Sequence, residues 1–341
     1  MFKVNVDINS IAGYSAASRD LLRSWYGKID YWIYPVTWGD SKFEMTGWWA
    51  DHIDELITPK LYDTLLCVGL PERHYVVEEG IKNIALTYFE VSRIGKEWVD
   101  KMNLMDEIWT GAQFSKDVFI NCGVKVPIKV VKWPVIEEDY VDITPINFSD
   151  FQNNAFTFFH QGTFDSRKNI TDLIVSYCME FQKEAIDNNG HIPDDATLLV
   201  IKTYLDWEDK VKRVVDDTII NIKNSLHLDR TPMVAVVQDK VSDKLLLQQI
   251  ASIDALAYTS HGEGVGGPLL PCSKFGKPII AAPWSSIPEY CSIDYPVEYT
   301  LEPVNGMNHI ESYRCNPMWA RLNLTSLRKQ MRSCYNDNRC Y

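Results

Sequence analysis

Short apolar runs alternate with amphipathic stretches along most of the chain. Val4–Ile8, Tyr31–Val36, Thr64–Val68, Ile84–Phe89, Glu107–Thr110 and Ile128–Lys132 read as strands. Ala16–Tyr26, with Leu21, Leu22 and Trp25 as its apolar positions, reads as a helix. Between Pro134 and Asn154 the alternation stops in a polar stretch that fits an interdomain linker. It then restarts: Ala155–Gln161, Thr197–Thr203, Met233–Val237, Asp254–Thr259 and Pro278–Ala282 as strands, Ile170–Asp187 and Asp209–Ser225 as helices. Strands alternating with helices imply parallel βαβ units, so the expected class is α/β with two doubly wound halves. The expected domains are 1–140 and 141–316. A basic helical tail over 317–341, carrying Arg321, Arg328, Lys329, Arg332 and Arg339, is expected to pack back on the first domain.

Bulk properties narrow the class. A length of 341 residues suits two domains of about 150 residues each. Hydrophobic content of 46% with 23% charged residues is ordinary for a soluble enzyme. No run approaches the roughly 18 apolar residues of a membrane span, and Met1–Asp7 reads as a strand rather than a secretory signal. A cytoplasmic location is therefore expected, with the 8 cysteines as reduced thiols; they form no C-x-x-C pair that would indicate a zinc ribbon or redox motif. The sequons at Asn147, Asn169 and Asn323 carry no weight in that setting. A net charge of −12 repels phosphate backbones and argues against a nucleic-acid partner, a local basic patch apart.

The most informative segment is Ser260-His261-Gly262-Glu263-Gly264-Val265-Gly266-Gly267-Pro268-Leu269-Leu270, placed after one strand and before a helix. Its glycines permit close backbone approach and positive φ, and its free amides with the new helix favour an anion. Glu263 is ill suited to a phosphate and suits the hydroxyls of a neighbouring sugar. A tight turn with glycines for packing is the competing reading. In Phe158–Asn169, Arg167 and Lys168 stand between a strand and a helix, where they can neutralise a pyrophosphate leaving group. A solvated surface pair is the alternative there. Asn169, with Asp172 three residues on, fits a helix cap.

These two segments, with Phe275-Gly276-Lys277-Pro278-Ile279-Ile280, resemble the donor site of glycosyltransferase family 4. The resemblance implies a GT-B fold, two Rossmann-like domains facing across a cleft and closing on a nucleotide-sugar. It implies that Glu263 touches the donor sugar, that Gly262, Gly264, Val265, Gly266 and Gly267 hold the diphosphate through their amides, and that transfer retains anomeric configuration. The family's second glutamate, which holds the ribose, falls on Pro271, and the family's further arginine before the Arg-Lys turn is replaced by Gly162-Thr163. In the first half, the loop Ala12–Ser18 resembles the one that faces the diphosphate, which makes Gly13 and Tyr14 donor-binding candidates. Leu86–Glu90 and Asp106–Phe119 resemble the acceptor half.

On the acceptor side, the aromatic loop Thr37–Trp49 offers Trp38, Trp48 and Trp49 for stacking, with Glu90 as a polar candidate; ordinary packing is the alternative. No aspartates stand at i and i+2, so the metal-binding D-x-D of GT-A enzymes is missing and metal-independent transfer is expected, without a cofactor. His74, His160 and His261 are catalytic candidates, although a lone histidine is more often structural. The expected activity is hexosyl or pentosyl transfer from a nucleotide-sugar to a carbohydrate or other hydroxylated acceptor. The alternatives are a DNA-modifying transferase acting on a hydroxymethylated base and a catalytically weak GT-B binding module.

Overall fold

A computed structural model describes residues 1–10, 13–37, 45–185, 192–203, 208–238, 241–307 and 310–339. It divides into two compact units: Met1–Asp139 with Glu263–Gly267 and residues 310–318, and Tyr140–Gly262 with Pro268–Met307 and Trp319–Tyr341.

The first unit runs β1 (Phe2–Val6), α1 (Gly13–Trp25), β2 (Tyr31–Pro35), α2 (Trp48–Leu56), β3 (Thr64–Val68), α3 (Pro71–His74), β4 (Lys82–Thr87), α4 (Lys96–Met102), β5 (Glu107–Thr110), α5 (Gln113–Cys122) and β6 (Ile128–Val130). Its six strands lie in the order β2-β1-β3-β4-β5-β6, and all their pairings are parallel. Leu65, Leu66 and Cys67 of β3 and Ala85 and Leu86 of β4 are fully buried. Continuous apolar strands of this kind result when helices cover both faces of a parallel sheet.

The second unit contains β7 (Phe156–Gln161), α6 (Ile170–Glu180), β8 (Thr197–Lys202), α7 (Glu208–Ser225), β9 (Met233–Val237), α8 (Asp243–Ser252), β10 (Ala255–Tyr258), α9 (Leu269–Lys274), β11 (Ile279–Ala281), α10 (Ile287–Tyr290), β12 (Tyr295–Pro296), β13 (Tyr299–Pro303), β14 (Met318–Leu322) and α11 (Leu324–Asn338). Its main sheet has the order β12-β11-β10-β7-β8-β9. Ser242 caps α8 by accepting from the Leu245 amide, and Asn323 caps α11 through Ser326.

Element boundaries differ from the sequence reading where propensity is locally ambiguous. The first strand ends at Val6 rather than Ile8, and the helix from Ile170 stops at Glu180. Trp48 and Trp49, read as loop, start helix α2. The stretch read as a linker holds two 3-10 turns, Glu137–Tyr140 and Asp150–Asn154. The basic tail is helical as read, over Leu324–Asn338, and its apolar face joins the core of the second unit. Leu327, Met331, Cys334 and Tyr335 of α11 join Phe156, Phe158, Tyr177 and Phe181 in one buried cluster. Arg332 fixes the helix by donating to Glu180 and Glu184 at 3.0 and 2.6 Å. The basic face is therefore spent on acidic residues of α6 and the segment after it.

Each sheet reverses its direction of growth once. The chain passes from β1 to β2 on one side and then to β3 on the other. It passes likewise from β7 to β8 and β9, and then to β10. The loops leaving the carboxyl ends of β1 and β3, and of β7 and β10, therefore diverge and leave a crevice. Such switch points are where open α/β sheets take their ligands.

Candidate functional site

At the switch point of the second unit, Arg167 and Lys168 follow β7 and the segment 259–262 follows β10. Two neighbouring parallel strands thus bring together the two segments that the sequence singled out. The Arg167 guanidinium donates from Nη1 to the Gly262 carbonyl at 2.8 Å, and the Arg167 carbonyl accepts from the His261 amide at 2.8 Å. The Thr259 hydroxyl donates to the Lys168 carbonyl at 3.1 Å. Together these bonds stitch one loop to the other.

Lys168 is the unusual member. Its side chain is only 9% exposed. The ammonium lies 3.3 Å from the Tyr258 hydroxyl and 5.5 Å from the centre of that ring. The stem runs over Gly162, where an added Cβ would meet Lys168 Cδ at 2.9 Å and Cγ at 3.0 Å. A side chain at 162 would force the Lys168 stem to shift from this course. Gln161 Oε1 and Asn169 Nδ2 are buried beside this pair without hydrogen-bond partners. Sequence reading named neither as a site residue. Asn169 does not cap α6 as expected; it sits in the left-handed region at φ 55° and its side chain makes no capping bond.

The helix after the glycine segment is short and ends at Lys274. α9 has six residues, preceded by Pro268 and carrying Pro271 at its third position. A helix start normally presents four free amides. Two prolines here leave Leu269 and Leu270, so the helix itself offers an anion little. Pro271 is buried in α9.

Glu263–Gly267 fold with the first unit. Glu263 is 5% exposed and Val265 is buried equally deeply. Gly264 lies against β4's exit: an added Cβ would meet Tyr88 Cβ at 2.8 Å and the Phe89 amide nitrogen at 3.0 Å. Gly266 has φ 86°. An added Cβ at Gly267 would make an ordinary contact with the Trp133 ring at 3.8 Å. Glycine is therefore required at 264 by close packing, as the turn reading held, and this does not distinguish it from the ligand reading.

The first-half candidates fall in different places. Gly13 is exposed at the start of α1, with open space around it. The Tyr14 hydroxyl is instead engaged inside the protein, donating to the Tyr88 carbonyl at 2.8 Å and accepting from the Tyr88 amide at 2.9 Å. Burial raises its pKa well above that of a free phenol. Tyr14 thus holds the end of β4 in place. Trp49 is core. The half-buried Trp48 is stacked on His52 at 4.4 Å and met edge-on by Tyr26 at 5.1 Å, so much of its ring is already covered. Trp38 lies outside the described residues. Glu90 accepts from the Tyr313 hydroxyl. His160 is fully buried and bonded through Nδ1 to the Ala257 carbonyl. His261 bonds the Ala320 carbonyl and lies on Trp319 at 4.5 Å; burial holds its pKa below the ordinary imidazole value. His74 contacts its own turn at Leu70.

No protein-family model and no curated protein matches this sequence. Solved structures do. A UDP-forming alpha,alpha-trehalose-phosphate synthase from Burkholderia xenovorans aligns over 100% of this chain and 99% of its own, at 10% identity and a TM-score of 0.53. The lipopolysaccharide outer core galactosyltransferase WaaB aligns over 84% and 82%, at 14% identity and a TM-score of 0.50. S. aureus TarM, solved with UDP and alpha-GlcNAc-glycerol, aligns over 81% of this chain at 13% identity and a TM-score of 0.50; the chain spans about half of TarM, 48% of its length. At these identities the likeness is one of fold: the chain has the GT-B fold, with two Rossmann-like units. No helix of the described residues is long and apolar enough to cross a membrane.

The course of Lys168 over Gly162 gives a direct prediction. Gly162→Ala should destabilise the protein by about 1–3 kcal/mol, the usual cost of overpacking a filled site. In a Lys168→Ala background the same substitution should cost almost nothing. Urea denaturation of the four proteins reads the coupling, and equal penalties in both backgrounds would show that the stem does not pack there.

Proposed function

We propose that this chain is a glycosyltransferase that takes a nucleotide-diphosphate sugar and moves its sugar to a hydroxylated acceptor. The observation that supports it most is the Arg167–Lys168 pair at the second unit's switch point, with Lys168 buried against Tyr258 and Arg167 bonded to the Gly262 carbonyl. A nearly buried ammonium is held at the carboxyl edge of a parallel sheet, where a pyrophosphate would sit. Breaking the anomeric bond puts negative charge on the β-phosphate, and fixed cations lower the barrier by stabilising that charge as it develops. With Leu269 and Leu270 as the remaining free helix-start amides, the side-chain cations carry most of this task.

In this reading Glu263, next in the chain after Gly262, accepts hydrogen bonds from the donor sugar, and the loop amides at Gly264–Gly267 hold the diphosphate. Gly13, with open space around it, is a donor-binding candidate on the first unit, and the acceptor is taken on that unit. Transfer retains configuration, needs no metal and runs in the cytoplasm; the metal-independent part rests on the missing D-x-D. A second reading, a binding module with weak turnover, is favoured by Pro271, which is buried in α9 and has no acceptor for ribose hydroxyls.

Turnover separates the two. Lys168→Met keeps an apolar stem over Gly162 and removes the charge, so the fold should persist while kcat falls by about 10²-fold or more. Released nucleotide from a donor panel is the readout, and full activity in the folded variant would remove Lys168 from the mechanism. Activity should also survive excess EDTA; a loss restored by Mn²⁺ or Mg²⁺ would overturn metal independence.

A further inference from the structure

The turn that carries Lys168 is closed by one carboxylate. Asp165 Oδ2 accepts from the Thr163 hydroxyl at 2.5 Å, and Oδ1 accepts from the Lys168 amide at 3.0 Å. The Asp165 amide donates to the Thr163 carbonyl at 2.9 Å. Both oxygens of this half-buried side chain are engaged, one at each end of the turn 163–168. The turn lies between β7 and α6, outside the strand ladder and the helix. On its Ser166 side it meets Gly306, where an added Cβ would run into the Ser166 hydroxyl. Beyond the turn, the Thr259 hydroxyl donates to the Lys168 carbonyl at 3.1 Å, and Asn169 redirects the chain at φ 55°.

An acid is an unfavourable neighbour for a phosphate, and an asparagine could close the same turn without the charge. Its two charge-assisted bonds account for the acid. They are stronger than bonds to a neutral oxygen, and one of them ends on the main chain of the buried lysine. With its backbone held by Asp165 and Thr259 and its stem laid over Gly162, Lys168 has few places to put its ammonium. We propose that Asp165 is a positioning residue for Lys168: it fixes the backbone from which the ammonium reaches the diphosphate, and it touches no ligand itself. This role rests on the proposed glycosyl transfer, in which Lys168 meets the leaving diphosphate. Asp165 therefore contributes to ligand binding only while residue 168 carries its charge.

A double-mutant cycle read by calorimetry tests this. UDP, ADP and GDP would be titrated into the full-length wild type, Asp165→Ala, Lys168→Met and the double variant, with melting temperatures confirming that each is folded. Asp165→Ala should weaken the diphosphate that binds best by roughly tenfold. In the Lys168→Met background the same substitution should change affinity by less than about twofold. Asp165→Asn keeps an acceptor for the Lys168 amide and a donor for the Thr163 oxygen, so it should restore wild-type affinity or exceed it. If Asp165→Ala does not fold, Thr163→Val removes one of the two bonds at nearly constant shape and should weaken binding several-fold, again only with Lys168 present. A residue that touched the ligand or merely supported the fold would weaken binding by the same factor in both backgrounds, and that result would overturn the proposal. So would unchanged affinity in Asp165→Ala, or Asp165→Asn binding as poorly as Asp165→Ala. Affinity that falls in Lys168→Met and is untouched by Asp165→Ala would sink the positioning role alone, whereas a wild type that binds no diphosphate would remove the transferase reading with it.

Discussion

The chemistry proposed for this chain depends on one packing constraint, the burial of the Lys168 side chain over Gly162. An ammonium is strongly hydrated, and placing it beside Tyr258 at 9% exposure is unfavourable unless something anionic or polar meets it. The stem lies over Gly162, and the Lys168 backbone is bound in on both sides: its amide donates to Asp165, its carbonyl accepts from Thr259, and the neighbouring Arg167 donates to the Gly262 carbonyl. The charge is thus fixed before any ligand arrives. Preorganised charge is worth more to a developing oxyanion than a mobile surface lysine would be.

That constraint sits on a topology used twice. Each unit has a six-stranded sheet with a single reversal, and each reversal opens a crevice at the carboxyl ends of the strands. The second unit fills its crevice edge with cations, Arg167 and Lys168. In the first unit the residue that leaves β1 is the buried acid Asp7. The two sheets share one plan, so what distinguishes the units at these ends comes from loop residues rather than from the strands.

Much of this was legible in the sequence. Parallel strands buried on both faces announce themselves as short apolar runs, and Thr64–Val68, Glu107–Thr110 and Met233–Val237 fall where the pattern puts them. The Arg167–Lys168 pair and the glycine segment were legible because strand, turn and helix order fixes their neighbourhood. Other features depend on distant packing. Nothing local reveals that the Tyr14 hydroxyl is taken by Tyr88, or that the arginines of α11 serve Glu180 and Glu184. The six-residue length of α9 was in principle readable from Pro268 and Pro271. Asp7 drew no notice, because a carboxylate after a strand looks like any surface acid until its burial is known.

The central claim is that Arg167 and Lys168 hold a pyrophosphate, and calorimetry tests it most directly. UDP, ADP and GDP, with inorganic pyrophosphate as the sugar- and base-free probe, would be titrated into the wild-type chain and into Lys168→Met. At least one diphosphate should bind the wild type, and its affinity should fall 10- to 100-fold in the variant, as expected for losing a charged hydrogen bond of roughly 1.5–3 kcal/mol. The corresponding nucleoside should bind both proteins alike. Diphosphate affinity that is the same in the two folded proteins, or no diphosphate binding at all, would contradict the account.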